Sequence, residues 1–243
     1  MDIEESDFLD MASSATSRFE LWINILNVTH ARTILEVGVW RGKFAKEVLE
    51  HCKEIEKYYM IDSWARLPDW NKPLNVDPRM FDDVYSEAMR KTEFASEKRI
   101  VLRGRTKEVI GEIPDESLDF AYIDGDHTLR GITIDLIKTL PKIKINGFIA
   151  GDDFSVNVWQ HDTGYEPTLV CPFSIYFAEA MGLPIIALPF NQFAIQKKIN
   201  PMFSFRDPTG KYGDVALNKL PVKSESFLIA VMKKFKKRIS ILK

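Results

Sequence analysis

The sequence predicts an α/β fold: a doubly wound, mainly parallel sheet with helices on both faces and an antiparallel hairpin at one edge. Three observations predict it. Short apolar runs alternate with helix-patterned segments between residues 33 and 153, joined by short connections. Acids gather where those runs end, at Glu36, Asp62, Asp124, Asp152 and Asp153, the edge at which such sheets bind ligands. A chain of 243 residues, 45% of them hydrophobic, suits one such domain with additions.

The elements follow in order. Residues 7–30 read as one amphipathic helix through Leu9, Phe19, Leu21, Trp22, Ile25 and Leu26. Residues 33–39 form a short apolar run that includes Gly38, a buried strand, and 42–52 have helical spacing. A second strand, 57–61, ends at Asp62. Pro68, Pro73 and Pro78 make 63–80 turn-rich, and 81–95 are helical. A third strand at 100–102 precedes a short helix at 106–111. A fourth, 118–123, ends at Asp124 and leads to a helix over 129–140. A fifth, 148–150, ends at Gly151, Asp152 and Asp153. Residues 155–168 are a polar loop, 174–181 a helix, and 183–189 and 192–198 two strands of the edge hairpin. Residues 200–222 read as an extended tail. Residues 224–243 read as a basic amphipathic helix, a solvated face or a contact for an anionic membrane or a partner chain. The expected organisation is a domain over 1–199, with 63–95 as lid or insertion, and a C-terminal extension over 200–243. A homo-oligomer is one role for the lid.

Composition narrows the function. A net charge of −2 offers no basic field for nucleic acid. The two cysteines, Cys52 and Cys171, stand far apart, which fits a reducing, cytoplasmic compartment rather than a disulfide framework. The acidic first residues lack a signal-peptide pattern, and no apolar run nears the roughly 20 residues of a membrane span. The expectation is a soluble protein.

Glu36-Val37-Gly38-Val39-Trp40-Arg41-Gly42 is a glycine-bearing turn from strand to helix. Gly38 permits close backbone approach to a ligand and Gly42 tight helix entry, although a packing turn would look the same. Asp62, at the end of the second strand, is placed to accept from both hydroxyls of a ribose; its plainer role is a turn or cap aspartate.

With Tyr59-Met60-Ile61-Asp62, this turn resembles the first two motifs of class I S-adenosylmethionine-dependent methyltransferases, a Rossmann-like family. The likeness continues through Asp119 to His127 and Asn146 to Asp153, covering about residues 30–155. It implies that Glu36, Val37 and Gly38 hold the methionine end, with Gly42 at the helix entry and Asp62 on the ribose. Ser63 and Trp64 would lie near the adenosine, and Gly104, Arg105 and Thr106 near the adenine, with Asp124 beside them. Arg105 departs from the pattern, standing where many relatives carry a small or acidic residue.

Asp124, Asp126, His127, Asp152 and Asp153 form the most reactive set. Carboxylates crowded at one sheet edge repel unless a cation intervenes, and oxygen ligands suit Mg²⁺ or a similar hard ion. The set also reads as a helix-capping turn with solvated loop acids. Its spacing is similar to that of metal-dependent sugar O-methyltransferases acting on macrolide and aminocoumarin antibiotics. That resemblance implies metal ligation by Asp124, Asp152 and Asp153, and a general base at His127 or, alternatively, Asp126. Trp64, Trp70, Tyr85, Trp159 and Tyr165 are candidates for a sugar platform or for packing, and His161 for substrate or solvent.

The expected activity is therefore methyl transfer from S-adenosylmethionine to a sugar or glycan hydroxyl, assisted by a divalent cation. A catechol-like phenol is the second acceptor. A nicotinamide-dependent oxidoreductase would share the glycine turn but lacks its G-x-G-x-x-G here, and a non-catalytic nucleoside-binding module would have no use for the acids.

Overall fold

The computed structural model describes residues 12, 14–162 and 164–212. One eight-stranded sheet runs in the order β3-β2-β1-β4-β5-β7-β6-β8. The strands are β1 (Thr33–Val37), β2 (Lys57–Asp62), β3 (Arg99–Arg103), β4 (Leu118–Ile123), β5 (Ile143–Gly151), β6 (Pro184–Leu188), β7 (Gln192–Gln196) and β8 (Ser204–Arg206). Strands β1 to β5 pair in parallel, and β7 runs antiparallel between β5 and β6.

The strands are apolar because both sheet faces are covered. Ile34, Tyr58, Met60, Phe120 and Tyr122 pack against α1 (Arg18–Val28), α2 (Lys43–His51) and α3 (Pro78–Lys91). Their strand neighbours Leu35, Tyr59, Ile61, Ala121 and Ile123 pack on the opposite face with α5 (Leu129–Thr139) and α6 (Val170–Ala180), near the short α4 (Thr106–Val109).

Several boundaries differ from the sequence reading, each for a local reason. The expected helix over 7–30 is interrupted. Ser17 accepts from the Glu20 N–H and caps a helix that starts at Arg18. Of its earlier part, only Ala12 and Ser14 onward are described. Helix α3 starts at Pro78, not 81: Asp77 caps it and proline takes the first-turn position, where no N–H is needed. Strand β5 begins at Ile143, before a register irregularity against β4; within it Asn146 has φ 67°.

The expected edge hairpin exists but is not the edge. β8 pairs in parallel with β6 beyond it, so the sheet continues past residue 199 into the supposed tail. Tyr212 is buried there, its ring 5.0 Å from that of Phe154 and its hydroxyl donating to the Phe154 carbonyl. The basic helix expected at 224–243 lies outside the described residues. No helix among the described residues is long and apolar enough to cross a membrane.

Candidate active site

A cavity of about 150 Å³ opens at the carboxyl ends of β1, β2 and β4. Gly38 makes this convergence possible. Its φ is +88°, and a Cβ there would lie 2.1 Å from the Asp124 carbonyl oxygen. Only glycine lets the ends of β1 and β4 approach so closely. Asp62 reaches the same cavity from β2, accepting from the Trp40 and Trp64 N–H groups at 2.8 Å each. Burial pushes its carboxyl above the usual carboxylate range, opposed by those hydrogen bonds.

Of the residues expected to hold cofactor, Val37, Gly38, Asp62, Ser63, Gly104, Arg105, Thr106 and Asp124 line the cavity. Three do not. Glu36 is buried and takes a 2.7 Å hydrogen bond from the Tyr58 hydroxyl on the α1–α3 face. Gly42 serves packing: a Cβ there would meet Ala88 of α3 at 2.9 Å. Trp64 turns its ring inward, donating to the Trp40 carbonyl and packing edge-on against Tyr85.

The acids after β4 and β5 are brought together, but around cations of the chain itself. The Arg18 guanidinium, from the first turn of α1, lies 3.3 Å from Asp124 Oδ2 and directly contacts Asp152. His127 Nδ1 is 2.7 Å from Asp153. His127 Nε2 is 3.4 Å from Asp124 Oδ1 yet is buried without a hydrogen-bond partner. Burial lowers the His127 pKa, but Asp124 and Asp153 outweigh it and push it up to about 10. Asp153 is correspondingly held below the usual range, His127 outweighing burial. Asp126 accepts from the Trp70 indole and the Thr128 N–H at 3.0 Å each, so it shapes the turn into α5.

Sequence reasoning missed Arg18, and it missed a relay behind Asp152. The Gln192 amide donates to Asp152 Oδ1 at 2.5 Å. Its oxygen accepts from Trp22 Nε1 at 2.7 Å and the Tyr122 hydroxyl at 2.8 Å, which fixes the amide's orientation. One signal for Arg18 was present: with Leu21, Trp22 and Ile25 it falls on the apolar stripe of its helix.

Segment 63–77 crosses the cavity mouth. Asp69 pairs with Arg105 and Arg130 at 2.9 Å each, and the Lys72 ammonium donates to the Glu166 carbonyl at 2.8 Å and Thr168 Oγ1 at 3.1 Å. Trp70 and Leu74 line the cavity beneath. Tyr85 packs on Trp64 and Tyr165 lies near His161 in the 155–168 loop. Trp159 is exposed.

Among the described residues, the acidic group whose ligand atoms lie within 4.8 Å of one another is a different one, Glu47, Glu50 and His51 on the surface of α2. Lys46 already pairs with Glu50 there. Asp124, Asp152 and Asp153 stand apart by comparison, with Arg18 and His127 between them.

Residues 35–154 match a family model described as a methyltransferase domain. No curated protein matches the sequence. Among solved structures, the chain is similar to the Podospora anserina methyltransferase PaMTH1 bound to SAH, at 14% identity and TM-score 0.56 over 81% of this chain and 89% of that one. It is similar to an O-methyltransferase from Bacillus cereus in complex with SAH, at 14% identity and TM-score 0.53 over 81% and 93%. It is also similar to the O-methyltransferase NovP, at 15% identity and TM-score 0.52 over 79% of each chain. These likenesses show the shared fold.

Proposed function

From a class I, S-adenosylmethionine-dependent methyltransferase domain at residues 35–154, we propose an O-methyltransferase whose acceptor is a sugar or glycan hydroxyl and whose acidic cluster takes a divalent cation. The observation that carries this reading is Asp124. It borders the cavity that Gly38 and Asp62 line and also belongs to the cluster with His127, Asp152 and Asp153. A donor and an alcohol bound on its two sides would meet above one sheet edge.

The proposed donors are all carboxylate oxygens, the ligand type a hard cation takes. Carboxylates from two neighbouring strands already share one positive group, the Arg18 guanidinium, which stands in for the ion. Asp124, Asp152 and Asp153 would hold the ion once Arg18 withdraws. When bound, it would lower the pKa of a ligated hydroxyl.

The remaining chemistry belongs to the chain. Asp62 anchors the ribose. The acceptor oxygen attacks the sulfonium methyl in line; the new O–C bond forms as the S–C bond breaks, leaving S-adenosylhomocysteine. The hydroxyl proton passes to His127 Nε2, which has no hydrogen-bond partner. His127 can accept it only when Asp124 and Asp153 are engaged elsewhere, because those carboxylates hold a proton on the imidazole.

The test is an S-adenosylhomocysteine release assay on sugars, nucleotide sugars and catechols, with and without chelator. Sugar-dependent turnover abolished by chelator and restored by Mg²⁺ is the expected result. Turnover on catechols alone would overturn the acceptor class, and chelator-resistant turnover would remove the cation.

A further inference from the structure

One buried carboxyl has no part in the chemistry above. Asp135, on α5, is 4% exposed and lines the cavity at the end where Gly104 and Thr106 stand. It occupies the buried stripe of its helix, between Ile132, Leu136 and Thr139. An aliphatic residue would pack that stripe without the desolvation that a carboxyl suffers.

Its carboxyl reaches the cavity wall beside a glycine. Gly125 follows Asp124 at the end of β4, and a Cβ there would come to 3.5 Å from Asp135 Oδ2. The Asp135 carboxyl thus lies beside the turn that follows Asp124, on the wall of the cavity. The surrounding groups define what it meets. Arg105 and Arg130 also line this end, and both are pure donors drawn outward to Asp69. Lys107, also on the lining, is a donor too. Thr106 hydrogen-bonds Asp135. An exocyclic amine entering here needs an acceptor, and no side chain of residues 104–107 supplies an acidic one.

We infer that Asp135, on α5, accepts the exocyclic amine of the donor's adenine at a cavity end where residues 104–107 carry no acid. This rests on the S-adenosylmethionine reading above. The environment agrees with it: burial pushes the Asp135 carboxyl up to about 7, opposed by the Thr106 hydrogen bond. A ligand amine would add a second hydrogen bond to a buried carboxyl that Thr106 already engages. A purely structural role, tying α4 to α5 through Thr106, makes no distinction between purines.

The experiment compares binding of S-adenosylhomocysteine with its 6-oxo counterpart, S-inosylhomocysteine, by calorimetry. The inosyl ligand presents an acceptor where adenine presents an amine. The wild type is expected to favour the adenosyl ligand by at least about tenfold. In Asp135→Asn, whose amide can donate or accept, that ratio should collapse toward unity. In Asp135→Ala, adenosyl binding should weaken about tenfold or more while inosyl binding holds. A ratio unchanged in both variants, or equal weakening of both ligands, overturns the inference and leaves the methyltransferase reading intact. Failure of the wild type to bind either ligand would sink that reading and this inference together.

Discussion

Replacing Arg18 by glutamine should make the protein less stable without divalent cation and a tighter binder of it. The magnitude follows from the contacts. A guanidinium 3.3 Å from the Asp124 carboxylate has a gross attraction of about 5 kcal/mol at an effective dielectric near 20. Partial exposure of Arg18 and its own desolvation offset most of this, leaving a net loss on the order of 1–3 kcal/mol when the cation is removed and Asp124 and Asp152 face each other. For a domain of this size that lowers Tm by about 2–12 °C in chelator. The same energy no longer opposes a competing ion, so Mg²⁺ affinity should rise roughly tenfold to a hundredfold. Thermal melts in chelator and across a Mg²⁺ titration, with calorimetric Kd values, read both effects. Equal Mg²⁺ affinity in variant and wild type would refute the competition. Absence of Mg²⁺ binding in both would refute the cation site.

Three further outcomes are expected. His127→Gln should reduce kcat by about 10²–10⁴-fold with S-adenosylhomocysteine affinity unchanged; a kcat within twofold of wild type would exclude it as base. Gly38→Ala should destabilise by at least ~2 kcal/mol in urea melts, since the added Cβ meets the Asp124 carbonyl at 2.1 Å on a backbone with φ +88°. Asp135→Asn should flatten the pH dependence of stability. The folded carboxyl titrates near 7 rather than at its ordinary 3.8, so the folded state binds the extra proton and this group's destabilisation grows as pH rises through that window, saturating above about 7. Its upper bound is on the order of 4 kcal/mol. Melts at pH 5 and pH 8 should therefore show the variant gaining on wild type at the higher pH, and parallel profiles would contradict the burial argument.

Much of the core was legible because its signals are local. Apolar runs with an acid or glycine at the end locate β1, β2 and β4, and the turn around Gly38 follows from one residue type. Helix starts were less legible. Pro78 reads as a turn residue until Asp77 is seen to cap it. The site's partners are long-range contacts that no spacing encodes: Arg18 reaches Asp152 from another element, and Gln192 reaches it from β7. A signal existed for two of the missed residues. Asp135 places a charge on the buried stripe of its helix, and Arg18 lies half-buried at the end of such a stripe, where a charge is costly and so points to a partner or a ligand. Trp64 shows the opposite error. Its neighbour Ser63 lines the cavity, but the indole finds its acceptor on Trp40 and packs inward.

The charges in the cluster constrain how the proposed reaction can run. Asp124, Asp152 and Asp153 are faced by Arg18 and by a protonated His127, two positive charges in all. A divalent cation carries that same charge. Exchanging one set for the other, with Arg18 withdrawn and the imidazole deprotonated, leaves the cluster's net charge unaltered, with one carboxylate in excess in either arrangement, so the exchange adds no repulsion among the acids. Only the second leaves His127 able to take a proton at neutral pH, since its ordinary pKa is about 6.5. In the first it is protonated and inert as a base. Cation binding and basicity at His127 are then one event. Each bound ion should release close to one proton near pH 7.5, and calorimetry in buffers of differing ionisation enthalpy measures that number directly. A value near zero would mean that His127 keeps its proton and that the acceptor hydroxyl loses its own elsewhere.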